Sequence, residues 1–356
     1  MAKRLQKALL LLAVAAMLPV SLYGCTGDTG ASPSDPPAAN TDELPQEKNS
    51  VTVGIAQDLD TLDPHKAASA GVSEVLFNLY EGLVKVNAEG GVSGAVASDY
   101  TISEDKTVYT FTLREGVTFH NGAPVTMDDV LYSLKRCAGS ENDGVPLISA
   151  FSDVTDISAV DDTHVAVTLS KPSLEFLYSM TAAIIPQGSG DTIATNPVGT
   201  GPFAFQSYTP QESLVAKRYD GYWGTPAYLE EVTFRIISSA ETMVMSLKSG
   251  VLDMVIHLPN TMAAEVKEGF TVHEDTMKLV QALYLNNAVK PLDDVRVRQA
   301  MYYAIDVNEI IEFVCNGAGV ATGTSMYPAH TKYFLPELAT AYQKNLDKAR
   351  ELLAQA

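Results

Sequence analysis

From residue 51 onward, apolar side chains recur in two rhythms that mark strands and helices by turns. The β-branched run Val51-Thr52-Val53-Gly54-Ile55-Ala56 has the character of a buried strand, and it gives way to a polar loop over residues 57–64. Val72, Val75, Leu76, Leu79 and Leu83 follow at spacings of three and four, which predicts a helix. Residues 107–113 alternate strictly, with Tyr109, Phe111 and Leu113 against Val108, Thr110 and Thr112, the mark of a half-buried antiparallel strand. Thr126 and Asp129 form a capping-box-like start to a helix that carries Val130, Leu131, Leu134 and Cys137 on one face.

The same alternation continues to the end of the chain. Strands are predicted over residues 164–169, 214–218, 232–237, 251–256 and 279–286. Ser238 and Glu241 are expected to cap a helix bearing Met243, Val244 and Leu247, with Gly250 as its stop. Asp294 begins a helix with Val297, Ala300, Met301, Ala304 and Ile305 inward, and a second helix runs from about Asn308 to Cys315 and stops at Gly317. Residues 345–356 read as an amphipathic helix with Leu346, Ala349, Leu352 and Leu353 on one side, and the chain is expected to stop before its fold does. No internal repeat is visible, and strands interleave with helices throughout, so the class is mixed α/β.

The first residues follow neither rhythm. Lys3, Arg4 and Lys7 precede an unbroken apolar run over residues 9–18, the layout of a secretory signal and too short to span a membrane. Leu22-Tyr23-Gly24-Cys25 resembles a bacterial lipobox, in which the cysteine receives a diacylglyceryl group and becomes the mature N-terminus. Residues 26–50 are dominated by Gly, Ser, Thr, Asp, Pro and Asn, and cannot bury enough apolar surface to offset their ordering entropy. They are expected to form a flexible tether.

Composition narrows the function classes. With 24 basic against 43 acidic residues and a formal net charge of -19, the chain lacks the basic surface that nucleic-acid binding requires. Its 46% hydrophobic content suits more than one packed core. Beyond Cys25, the remaining cysteines, Cys137 and Cys315, lie on apolar faces of predicted helices and read as small core residues, with pairing as the alternative. No His-Glu-x-x-His or Cys-x-x-Cys occurs, and the six histidines are dispersed. Gly188-Ser189-Gly190 lacks the glycine spacing of a nucleophile elbow. Asp58, Asp60 and Asp63 lack the glycine and glutamate of a calcium loop and read as surface or hinge carboxylates. Gly199-Thr200-Gly201 runs into Pro202 and a strand-like segment, so it reads as a backbone turn and not a dinucleotide fingerprint.

Four stretches, in order, resemble extracytoplasmic solute-binding proteins of the peptide and nickel importer family. They are Leu62-Asp63-Pro64-His65-Lys66; Leu79-Tyr80-Glu81-Gly82-Leu83 through residues 109–117, Phe119-His120-Asn121-Gly122 and Asp129-Val130; residues 197–203 with Tyr219-Asp220-Gly221-Tyr222-Trp223; and residues 294–300 with Tyr303-Ala304-Ile305-Asp306. The resemblance implies a two-lobe binding-protein fold of the large peptide-binding type, with ligand enclosed as the lobes close. It further implies a signal peptide over 1–24 and a tether over 25–50. Lobe I would comprise 51–80 and 190–275 with an accessory subdomain at 81–189, and 276–356 would be an incomplete second lobe.

By the same resemblance, the loop after Leu-Asp-Pro-His lines the cleft, which points to Ala67, Ala68, Ser69, Ala70 and Val72. Ile256 and His257 are expected at the end of a cleft-facing strand, with Gln281 and Leu283 added from the next element. Gly82, Gly116, Gly122, Gly199 and Gly201 read as turn and close-packing residues. The implied protein is a monomeric, lipid-anchored subunit of an ABC importer that captures short peptides or a related small solute for a membrane permease. It uses no metal or other cofactor and catalyses no reaction. A sensor or pheromone receptor on the same fold and a secreted hydrolase are the competing readings. The chain by itself is expected to bind its ligand weakly.

Overall fold

A computed structural model of the chain describes residues 49–88, 90–173, 175–274, 280–326, 328 and 334–356; the leader, Cys25 and most of the tether lie outside the described residues. In order the elements are β1 (Ser50–Ile55), α1 (Ala70–Leu76), β2 (Val84–Val86), β3 (Val92–Gly94), β4 (Ala97–Ile102), β5 (Val108–Leu113), α2 (Met127–Cys137), β6 (Val154–Ala159) and β7 (His164–Leu169). There follow α3 (Phe176–Ser179), β8 (Phe203–Thr209), β9 (Ser213–Arg218), β10 (Glu231–Ile236), α4 (Ala240–Lys248), β11 (Met254–Val255), α5 (Asn260–Ala263), α6 (Val295–Ala304), α7 (Val307–Cys315) and α8 (Leu346–Gln355).

Two larger sheets organise residues 49–255. The first has strand order β11-β1-β10-β9-β8, with β1 parallel to both β10 and β11. The second is an antiparallel β4-β5-β7-β6 sheet whose central strand β5 buries Tyr109 and Phe111, as its alternation predicts. Against that sheet lies α2, held at its start by a complete Thr126/Asp129 capping box and burying Val130, Leu134 and Cys137. Each sheet has its own core. The chain passes between them at residues 182–185, where the period of two of an extended segment sends Ala182 and Ile184 into one core and Ala183 and Ile185 into the other.

Polar groups tie the two cores together. Glu81, 6% exposed, accepts from the Tyr222 hydroxyl and from Trp223 Nε1, both at 2.6 Å, and from Lys85 Nζ at 3.1 Å. Burial, with the Glu81 hydrogen bond, raises the Tyr222 phenol well above its ordinary pKa. His120 Nε2 lies 3.0 Å from the Gly201 carbonyl, and Nδ1 accepts from Gly199 N–H at 3.2 Å, which fixes the Nε2–H form of the ring. Gly199 has no room for a side chain, since a Cβ there would lie 2.1 Å from the Leu79 carbonyl oxygen. The stretches that resemble the importer family between residues 79 and 223 are thus largely the parts that hold these two cores in register.

Several predicted elements differ in extent. Helix α1 stops at Leu76 and not near Leu83, because the Asn78 amide donates to the Glu74 and Val75 carbonyls and closes the turn. The cap of α4 is Ser239 and not Ser238, with the Ser239 hydroxyl accepting from Thr242 N–H. The strand predicted over 251–256 shrinks to Met254–Val255: Val251 and Leu252 donate their N–H groups to Ser246, and Gly250 turns the chain at φ +75. Residues 280–286 form no strand, and residue 279 lies outside the described residues. Helices α6 and α8 pack through Ala300, Ala349, Leu352 and Tyr303, whereas Ala304 and Ile305, expected inward, are exposed.

Candidate functional site

The carboxyl ends of the parallel strands β1, β10 and β11 share one edge of the first sheet, and the loops leaving them are 56–69, 237–239 and 256–259. In open α/β sheets ligands bind outside this edge, where loops diverge from a rigid frame. Polar bonds pin the long loop after β1 at two points, the first half-buried and the second buried. At its start, Asp58 accepts from the Tyr208 hydroxyl and from Gln211 N–H, both at 2.8 Å. Burial and the adjacent Asp58 carboxylate push the Tyr208 phenol up to about 12.

The second pin is a buried charge cluster that the sequence reading missed. Asp63 is not a surface or hinge carboxylate: it is 1% exposed and takes a bidentate pair from Arg136 on α2, at 3.1 and 2.7 Å. Two parallel N–H···O bonds of this kind are the strong form of an arginine–carboxylate pair. His65 joins the cluster, with Nδ1 2.8 Å from Arg136 Nη1 and Nε2 2.8 Å from the Ala183 carbonyl. Since guanidinium only donates, Nδ1 accepts and Nε2–H donates, so the ring is neutral. Burial is the main reason its pKa falls to about 4, and the Arg136 charge adds to the drop. For Asp63, burial acts upward but is outweighed by the Arg136 hydrogen bonds and charge, which hold the carboxyl below its ordinary range. The signal available in the sequence was the Leu-Asp-Pro-His stretch itself, but its arginine partner lies 73 residues away.

Between these pins and α1, Ala68 and Ala70 are exposed and Ala67 is half-buried, with Ser69 as N-cap accepting from Val72 N–H at 3.3 Å. Val72 does not belong to an open surface. It is 1% exposed and packs in the core of the first sheet, because the inward stripe of α1 is Val72, Val75 and Leu76. Ile256 is half-buried against that same core, with its N–H on the Gly54 carbonyl at 3.3 Å. His257 follows with φ +57 and reaches α1, its Nε2 lying 2.7 and 2.9 Å from the two carboxylate oxygens of Glu74. The structure therefore brings Ala68, Ala70, Ile256 and His257 to one edge and adds Glu74. Gln281 and Leu283 sit apart on the unpaired 280–286 segment, both exposed.

Among the described residues no group of three His, Cys, Asp or Glu side chains is placed to hold a metal ion. Cys137 and Cys315 are both free thiols, and burial raises the Cys137 thiol.

Comparison with known proteins matches the chain over residues 91–356 to the bacterial extracellular solute-binding proteins, family 5 middle region. The glutathione-binding protein GsiB of Salmonella typhimurium is 29% identical over 321 residues, covering 86% of this chain and 61% of that protein. The chain thus spans less than two thirds of the length of such relatives. Among solved structures, NikZ from Campylobacter jejuni in complex with Ni(L-His) superposes with a TM-score of 0.74 at 22% identity, over 86% of this chain and 63% of that one. DppA from Helicobacter pylori in complex with peptide STSA gives 0.70 at 24% identity, over 86% and 65%. Both share the fold, that of a family 5 periplasmic binding protein. Ordered motifs, two sheets locked by buried charge and a family match across most of its length agree, and the chain belongs to the bacterial extracellular solute-binding proteins of family 5.

Proposed function

We propose that this protein captures short peptides outside the cytoplasm for an ABC importer, held to the membrane by lipid on Cys25, and that it catalyses no reaction. The family match over residues 91–356 carries this reading. The described geometry supports it: a pinned loop and the ends of parallel strands present small side chains, Ala68 and Ala70, beside the polar pair Glu74 and His257. Such an edge offers room for an extended chain and hydrogen-bonding groups at one end.

Ligand contacts are assigned to Ala68, Ala70, Ile256 and His257, with Gln281 and Leu283 contributed from the second segment. Val72 acts only by packing beneath them. The test is an equilibrium titration of the purified chain with a set of di- to pentapeptides, followed by NMR so that weak binding registers. Saturable shifts at residues 67–70 and 256–257 are expected. Binding of a nickel–histidine complex or a sugar, with no response to any peptide, would remove the peptide assignment.

A further inference from the structure

We propose that neutral His65 latches residues 65–69 against α2, and that a proton on its ring releases this stretch and weakens solute binding. The effect on solute rests on the peptide-binding reading, whereas the latch itself does not. His65 is 2% exposed and opens the stretch that carries Ala67 and Ala68 of the candidate site. Its ring nitrogens have one partner each: Nδ1 accepts from Arg136 Nη1, and Nε2–H donates to the Ala183 carbonyl. Nδ1 can accept only while it carries no proton. An imidazolium would set N–H against N–H and charge against charge, in a site closed to water.

The ring is the group that yields. Arg136 is also held by Asp63 at 3.1 and 2.7 Å and by Glu141 at 3.0 Å, while the imidazole has only the Ala183 carbonyl besides Arg136. Behind the ring, the His65 amide donates to Asp63 Oδ1 at 3.0 Å, and the Lys66 and Ala67 amides donate to the Asp63 carbonyl at 3.1 Å. The next anchor along the chain is the Ser69 cap of α1. Burial, with the Arg136 charge, lowers the latched ring's pKa to about 4, against about 6.5 for a ring in water. The released form therefore gains on the latched one by about tenfold per pH unit as pH falls from 6.5 to 4. Of the groups packed around the ring, Asp63 stays ionised, because Arg136 outweighs the upward push of burial. Burial keeps the Tyr80 and Tyr132 phenols and the Cys137 thiol protonated. Lys66 faces Asp63 at 3.6 Å, and Glu141, 41% exposed, is the carboxylate that needs a separate control.

Amide hydrogen exchange of the purified chain between pH 7 and pH 4.5 reads the latch without solute. After correction for intrinsic rates, the His65, Lys66 and Ala67 amides should lose protection by about tenfold per pH unit below 6.5, and should stay less protected than the amides of β5. Trialanine titrated by NMR should bind at least fivefold more weakly at pH 4.5 than at pH 7. His65→Gln keeps an acceptor and a donor but no titrating nitrogen, and should abolish both responses; Glu141→Gln should keep both. Loop amides that match β5 in protection at every pH overturn the latch, since the stretch would then open only by global unfolding, and this result decides even where a variant does not fold. A pH response that survives His65→Gln, or disappears in Glu141→Gln, overturns it as well. Loosening of the loop with constant trialanine affinity overturns the effect on solute. Absence of trialanine binding at pH 7 removes the peptide reading, and the exchange result still decides the latch.

Discussion

Residues 49–236 and residues 280–356 share a sequence style, with clear helical and strand periodicity and well-chosen caps, yet they differ in how that periodicity is used. In the first region the apolar stripes meet each other: β5, β7 and α2 close on one core, β1, β9, β10 and α1 on another. In the second, Ala300, Ala349 and Leu352 are the buried residues among those described from 280 onward. Helix α7 shows the contrast most clearly. Asp306 caps its start, Asn316 closes its end in the left-handed conformation, and none of its residues is buried. Local signals thus suffice to specify a helix, while its stability depends on a facing surface.

The first region should be the more fragile to a single substitution, because its two cores share buried charges. Arg136→Leu strips the Asp63 carboxylate, 1% exposed, of its bidentate partner, leaving Lys66 at 3.6 Å as its cation, and removes the donor to His65 Nδ1. Breaking a buried pair from one side costs about 3–5 kcal/mol. Chemical denaturation followed at Trp223 should show that loss as a lower midpoint, and an unchanged midpoint would mean that the cluster contributes nothing net.

Acid should act through the same cluster. Above pH 6.5 both the folded and unfolded forms of His65 are neutral, and its contribution is fully present. As pH falls below 6.5 the unfolded chain takes up a proton while the folded ring, with a pKa of about 4, does not. Stability is therefore lost between pH 6.5 and pH 4, by about 3 kcal/mol over the window. His65→Gln, which cannot titrate, should flatten that slope when denaturation midpoints are compared at pH 7 and pH 4.5. The Asp63 carboxyl, held below its ordinary range, adds a loss only at lower pH.

What the sequence made legible follows from which interactions are local. The capping box at Thr126, the alternation in β5 and the end of α7 at Cys315 each depend on neighbours within a few residues and could be read directly, although the left-handed cap is Asn316, one residue before the expected Gly317. The Asp63–Arg136 and Glu74–His257 pairs join residues 73 and 183 positions apart, and no periodicity announces them. Val72 was misplaced for a related reason. The loop before it was read as a lining surface, and the helix that begins at Ala70 turns that side chain inward. Strand 251–256 failed because the end of α4 uses its first amides, a competition that β-propensity does not register.

Smaller effects distinguish the regions further. Tyr222→Phe removes a hydroxyl that donates to Glu81 at 2.6 Å and accepts from Lys85 at 3.0 Å, but Trp223 and Lys85 still satisfy the carboxylate. A loss of about 1–2 kcal/mol is expected, below that of Arg136→Leu because no buried charge loses a bidentate partner. A loss as large as the arginine variant's would show that the hydroxyl, and not Trp223, holds the two cores in register.

The smallest effect should come from α7. Phe313 is 78% exposed and contributes little buried area, so Phe313→Ser should change the unfolding free energy by less than about 0.5 kcal/mol. The same substitution interrupts an apolar surface formed with Ile310 and Val314, 47% and 66% exposed, and should reduce self-association in light scattering at high concentration. A stability loss comparable to that of Tyr222→Phe would mean that α7 is covered in solution, and the contrast between the two regions would then be one of partners and not of packing.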